Sequence, residues 1–209
     1  MNYIIAIVGP SGSGKTTISR AMAEAGMPDI VSYTTRPMRP GETQGVEHRF
    51  ISHEEAISII ETQAIAAYTE FGGYLYFTTI SQLREHPYCT YVIDEYGLQM
   101  LQSSVSEQGF EVIPVFVSRN ADDIKATVDA ERIKRDEQRS WFARDYYDII
   151  INNDASSVAQ LSEFSFRLAL SLMCVLPVRN GIVRRCELSA SDTRTIHIIN
   201  TLNNVSSAL

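Results

Sequence analysis

Residues 9–16 constrain this chain more than any other feature: Gly9-Pro10-Ser11-Gly12-Ser13-Gly14-Lys15-Thr16 fits G-x-x-x-x-G-K-[ST] at every fixed position. Before it stands Tyr3-Ile4-Ile5-Ala6-Ile7-Val8, a continuous apolar run of the kind a strand buried on both faces needs. After it, residues 15–25 carry helical periodicity. Strand, glycine-rich turn and helix in that order make an anion cradle. The glycines let successive backbone N–H groups point inward, and the positive end of the helix dipole stands behind them. Lys15 then reaches the outer phosphates of a nucleoside triphosphate, and the Thr16 hydroxyl is placed to coordinate Mg²⁺ between them. The plain alternative, a turn that merely needs positive φ, is disfavoured by a complete motif in its complete context.

The rest of the chain alternates in the same rhythm. Residues 89–94, 111–117 and 148–151 have the length and apolarity of further core strands, and residues 96–108, 121–139 and 155–173 have the spacing of helices. That alternation predicts an α/β fold, a mostly parallel sheet with helices on both faces. Residues 41–79 break the rhythm. Short alternating runs at 48–51, 64–69 and 74–79 surround a helix opened by the capping box Ser52-x-x-Glu55, and Gly72-Gly73 reads as a hairpin turn. We expect an inserted, small antiparallel unit there. The polar last twenty residues suggest a short helix over 195–202, and no internal repeat is present.

A chain of 209 residues fits one domain with an insert or tail. With 44% hydrophobic and 21% charged residues it lies outside the disordered and collagen-like classes. The net charge of −7 makes nucleic acid and anionic lipid poor partners, although small phosphorylated ligands remain open. Three of the basic residues are lysines (Lys15, Lys125, Lys134) and the rest are arginines, whose forks suit carboxylate and phosphate. Three cysteines without C-x-x-C spacing argue against a disulfide framework or a zinc cage, and four scattered histidines argue against a His metal site. No export, lipidation or membrane-span pattern is evident, so a cytoplasmic location is expected.

Ser32-Tyr33-Thr34-Thr35-Arg36-Pro37-Met38-Arg39-Pro40-Gly41-Glu42 puts two arginines three apart in a proline-stiffened loop. Their forks can grip one phosphate, or Arg can pair with Glu42 in a solvated loop. Together with residues 9–17, this run resembles the guanylate kinase family. The resemblance extends through Gly45-x-x-His48-x-Phe50, Phe71-Gly72-Gly73-Tyr74-Leu75-Tyr76-Phe77-Thr78-Thr79, the segment around Asp94, and the strand at 147–154, covering about residues 1–170.

The resemblance implies an ATP-dependent nucleoside monophosphate kinase with a P-loop core (1–33 and 88–175), an acceptor-binding insert (34–87), a short lid within 119–145, and a C-terminal extension (176–209). It implies ATP–Mg²⁺ on Gly9, Pro10, Ser11, Gly12, Ser13, Gly14, Lys15, Thr16 and Thr17. The acceptor monophosphate falls to Arg36, Arg39, Tyr76 and His48, which stands where the family usually has Tyr. Ser32 and Thr78 meet the base. Asp94 holds the metal's water shell or reaches the base, unless it is simply the cap of the following helix. Two departures stand out. Ala67 occupies the place of a family glutamate that accepts hydrogen bonds from guanine, with Glu70 a substitute only on a slipped register or with a different neighbouring loop. Phe77 replaces a small residue, where a ring could narrow the base pocket.

Arg132, Arg135 and Arg139 lie within about 60° on one helical face and can close on the phosphates as charge develops in transfer. Against this, residues 119–145 hold seven basic and seven acidic side chains, with Glu131–Arg135 and Arg132–Asp136 at salt-bridge spacing, as a solvated charged helix would. The expectation is a kinase passing the γ-phosphate of ATP to GMP or dGMP, with Lys15, Arg36, Arg39, Arg135 and Arg139 as catalytic residues. The alternatives are another monophosphate or phosphorylated sugar as acceptor, and an inactive interaction module. Oligomeric state is left open.

Overall fold

The computed structural model describes residues 1–139, 141–178 and 186–192. Its centre is a five-stranded sheet in the order β6-β1-β7-β8-β9, built from β1 (Asn2–Val8), β6 (Tyr88–Val92), β7 (Phe110–Arg119), β8 (Ile149–Asn153) and β9 (Cys186–Ser189). Every pair in it is parallel, with Ile5 opposite Thr90 on one side and Ile113 on the other. A parallel bridge from Asp29 to Thr90 extends the sheet beyond β6. The chain therefore goes from β1 to one side and later crosses to β7 on the other, so the carboxyl end of β1 is a topological switch point, where open α/β sheets bind ligands.

Alternation along β1 fills both faces. Ile5 and Ile7 pack with Ile18 and Met22 of α1 (Lys15–Glu24) and with Leu161, Phe164 and Leu168 of α7 (Val158–Val178). Ile4, Ala6 and Val8 pack on the other face with Leu83 of α3 (Ile80–Arg84) and Leu98 and Leu101 of α4 (Glu95–Val105). Burial on both faces is what a continuous apolar strand requires. α7 is long and apolar enough by composition to cross a membrane. Here one face of it is core: Leu161, Phe164, Leu168 and Leu172 are all buried against the sheet and α1.

A second sheet, in the order β3-β2-β5-β4, lies in the insert. β4 (Ile65–Phe71) and β5 (Tyr74–Thr79) form the expected hairpin, with Gly72 and Gly73 at φ 59° and 77°, the left-handed pair that a tight primed turn needs. β5 pairs antiparallel with β2 (Tyr33–Thr34), whereas β3 (Arg49–Phe50) joins β2 in parallel, a departure from a purely antiparallel unit. The Ser52–Glu55 capping box opens α2 (His53–Thr62), and Thr79 with Gln82 forms a second one at α3. Phe77 stacks on Tyr33 at 5.1 Å and is buried with Ala56 and Leu75 in the insert's own small core, turned away from the sheet edge.

The charged segment expected as one helix over 121–139 is two, α5 (Ala121–Lys125) and α6 (Ala130–Glu137). Asn120 caps the first and Asp129 the second through the Arg132 N–H, and a polar cap inside the run is what divides it. The helix expected over 195–202 lies outside the described residues. β9 was not anticipated, although Cys186, Leu188 and Ala190 alternate in burial with exposed Glu187.

Candidate active site

At the carboxyl end of β1 the chain turns through residues 9–14 into α1. Gly9 has φ 155°, and a Cβ there would stand 2.4 Å from the backbone oxygen of Val117, so the close approach of β7 leaves room only for glycine. Asn153, at the end of β8, donates to the Ser13 carbonyl (2.8 Å), and Arg119, at the end of β7, donates to the Gly12 carbonyl (3.1 Å). Neither was singled out from sequence; each stands at a strand end beside the loop, a position only the sheet order reveals. Lys15 donates to the carbonyls of Gly9 (2.8 Å) and Pro10 (2.7 Å). Burial lowers its pKa to about 8, although Asp136 nearby works in the opposite direction. Thr16 and Thr17 follow in the first turn of α1, and the exposed Thr16 hydroxyl donates to no protein group among the described residues.

Facing this loop is a cavity of about 260 Å³. Gly9, Ser11 and Lys15 line it from the loop; Ser32, His48 and Tyr76 from the insert; Asp94 from the end of β6; and Arg132, Arg135 and Arg139 from α6 and the turn after it. A second cavity of about 360 Å³ adjoins it, sharing Thr69, Tyr76, Asp94, Arg135 and Arg139 and adding Glu70 and Phe71. Both have the scale of a small-ligand site.

Asp94 is both cap and cavity residue. Its Oδ1 accepts from the Gly97 N–H (2.7 Å) and from the Thr69 hydroxyl (3.2 Å), which fixes the carboxylate at the mouth. On the insert side, the Ser32 hydroxyl and His48 Nδ1 share a hydrogen bond of 2.9 Å. Burial and then Arg36 push the His48 pKa below its usual value, so the ring is neutral at pH 7. Ala67 and Tyr91 complete this wall, and Ala67 presents only its methyl. Glu70 is exposed and faces the adjoining cavity.

Arg36 and Arg39 do not line either cavity. Arg36 is buried, and its fork grips Glu42 with two bonds of 2.8 and 2.9 Å, while Phe50 lies 5.2 Å beneath the guanidinium. The same carboxylate accepts from the Arg39 N–H at 2.7 Å. Glu42 thus gives the Arg36 fork a carboxylate to hold, and the Arg36 bonds bring the Glu42 pKa down to about 2. Thr78 also stands apart: fully buried, it gives its hydroxyl to Gln82 (2.8 Å).

The arginine face of α6 points inward. Arg135 Nη2 donates to the Ser11 hydroxyl (3.0 Å) and its guanidinium lies 5.5 Å from the Phe71 ring. Arg139 pairs with buried Glu95 and stands 4.8 Å over Trp141. Neither of the i,i+4 pairs read from the sequence is among the ion pairs of the described residues; Arg135 and Arg139 turn to Asp136 instead. Asp136 accepts from the Ser11 N–H at 2.6 Å. Burial disfavours its charge, but that bond and the Ser11 hydroxyl outweigh burial and hold its pKa below the usual range. Glu95 carried no mark in the sequence beyond its charge, and Asp136 none beyond its i,i+4 spacing from Arg132.

The phosphate loop with one ammonium, three guanidinium groups and a polar wall line one cavity, a donor set suited to phosphorylated ligands. For Mg²⁺ the donors present are a free hydroxyl at Thr16 and the second oxygen of Asp94, oxygen ligands of the type that ion takes directly or through water.

The guanylate kinase family model matches residues 1–164. Among curated relatives, a guanylate kinase from Frankia casuarinae is 29% identical over 167 residues, spanning 72% of this chain and 89% of that protein. One from Streptococcus pyogenes serotype M3 is 29% identical over 175 residues, 75% and 81% of the two chains. One from Legionella pneumophila is 39% identical over 85 residues, 40% of each. The crystal structure of guanylate kinase from Anaplasma phagocytophilum superposes with a TM-score of 0.57 at 20% identity, over 87% of this chain and 96% of that one, which supports the same fold.

Proposed function

The chain belongs to the guanylate kinase family of ATP-dependent nucleoside monophosphate kinases, and from that premise we propose that its acceptor is GMP or dGMP. The observation that carries the reading is the cavity into which the phosphate loop, the insert and the arginine helix all open. Residues 9–17 take ATP, with Lys15 on its outer phosphates. Ser32, His48, Tyr76 and Asp94 take the acceptor, and Arg36 and Arg39 take its phosphate by exchanging Glu42 for it. Thr16, and Asp94 through water, would hold Mg²⁺, which would screen phosphate charge when bound.

The acceptor phosphate is ionised at neutral pH and is itself the nucleophile, so no general base is required. The protein's tasks are alignment, neutralisation of charge by Lys15, Arg135 and Arg139, and exclusion of water. The regions 1–33 and 88–175 act as the core, 34–87 as the acceptor unit and 119–145 as the lid.

Ala67 favours a second reading. A methyl in that wall leaves the donors of a guanine edge without a carboxylate partner, a loss of ~1–3 kcal/mol for buried polar groups, and a different monophosphate or a phosphorylated sugar would lose less. Initial rates of ADP formation with ATP–Mg²⁺ against GMP, dGMP, AMP, dTMP, dCMP and ribose phosphates separate the two. GMP or dGMP is expected to lead; if GMP is no better than AMP or dTMP, the guanine assignment falls and the second reading stands.

A further inference from the structure

We infer that Asp136 is a positioning residue that docks the arginine helix onto the phosphate loop, its carboxylate bound to Ser11 and flanked by Arg135 and Arg139 where they face the cavity. The inference rests on the kinase reading above. Among the described residues of α6, Asp136 alone is buried, so a charge rather than an apolar stripe seats this helix. Buried carboxylates are rare unless paired, and both oxygens of this one have partners. Oδ2 accepts from the Ser11 N–H at 2.6 Å, Oδ1 lies 3.5 Å from Arg135 Nη2 and 4.0 Å from Arg139 Nη1, and the backbone oxygen accepts from Trp141 Nε1 at 3.3 Å. Arg135 returns a bond to the Ser11 hydroxyl at 3.0 Å, closing a ring of three residues across the loop and the helix.

Charge alone would make Asp136 a fault. It sits close enough to Lys15 to shift its titration, and a carboxylate there repels a triphosphate. Geometry gives it the opposite value. Phosphoryl transfer depends on placement, and an error of about 1 Å can cost about a hundredfold. A carboxylate that fixes Ser11 and both guanidinium groups at once sets the distance between the donor cradle and the cations that must meet the transferring group. The two effects have different signatures: removing Asp136 should slow turnover while leaving triphosphate binding as tight as before, or tighter.

The test compares wild type with Asp136→Ala and Asp136→Asn by steady-state kinetics, by calorimetric titration with a non-hydrolysable ATP analogue, and by hydrogen exchange at the Ser11 amide. Asp136→Ala should lower kcat about tenfold or more with KM within about threefold. It should bind the analogue at least as well as wild type and lose protection at Ser11. Asp136→Asn keeps an oxygen for the Ser11 N–H and should recover most of kcat and of the protection. The inference is overturned if Asp136→Ala keeps kcat within about threefold of wild type, if both variants lose equally, or if analogue binding falls in step with thermal stability. Should wild type phosphorylate no monophosphate, the kinase reading fails on wild type alone. The docking role is then judged by Ser11 protection, lost in Ala and kept in Asn, and fails if protection is unchanged in both.

Discussion

At Lys15 a positive charge stands in surroundings that burial makes hostile to it, which is why its pKa falls to about 8. A polyanion bound beside the ammonium raises that pKa again. Affinity for a triphosphate is therefore full below about pH 8 and falls above it by up to about tenfold per pH unit. Calorimetric titration with a non-hydrolysable ATP analogue between pH 7 and pH 9 reads this directly, and Lys15→Arg, always charged, should flatten the profile; an unchanged wild-type affinity across that range contradicts it. Folding carries the same linkage with its own sign. The cost of the buried charge is whole below about pH 8 and eases as pH rises toward the unfolded value of 10.5. Gly9 tests the loop's shape. With Val117's carbonyl 2.4 Å from the place of its Cβ, Gly9→Ala should cost ~2–3 kcal/mol of stability by chemical denaturation. A change within error would mean that β7 can yield.

At the scale of elements, the sequence made some parts plain and hid others for physical reasons. β1, the phosphate loop and α1 were legible because a two-sided apolar run, fixed glycines and a helical period say the same thing. The β4–β5 hairpin was legible from Gly72-Gly73, and the helix α2 before it from Ser52 and Glu55. The arginine segment was not: its period is continuous, but Asp129 caps a fresh helix, and a cap inside a charged run looks like one more surface charge. β9 is four residues long and, among the described residues, pairs with β8 alone, so its alternation is too short to stand out. In the site, chemistry carried by a motif showed itself, whereas chemistry carried by packing did not. Phe77 turns into the insert's core rather than the base pocket, Thr78 serves a helix cap through Gln82, and Asp136 reaches Ser11 across a sequence distance of 125 residues.

Two predictions belong to single elements. On β4, Ala67→Glu should raise kcat/KM for GMP relative to AMP by about tenfold or more, read from paired initial rates; no gain would remove Ala67 from the base wall. On α6, Arg135→Ala should lower kcat by about a hundredfold or more with little change in KM for ATP. Equal losses in KM would assign Arg135 to binding rather than to the transferring group.

For the whole molecule the decisive fact is convergence. The parallel sheet places the carboxyl ends of β1 and β6 side by side, so the phosphate loop and Asp94 meet at the switch point. The insert brings Ser32, His48 and Tyr76 to face them, and α6 with the turn after it adds three arginines. The cavity lies where the three units meet. The central claim is that two nucleotides lie end to end in that one space with their phosphates touching. Its most direct test is the affinity of an adenosine and a guanosine joined by five phosphates, titrated against ATP analogue alone and GMP alone. The account predicts that the joined ligand binds at least about a hundredfold more tightly than either part, since the second contact becomes intramolecular. A joined ligand that binds no better than the ATP analogue would contradict it.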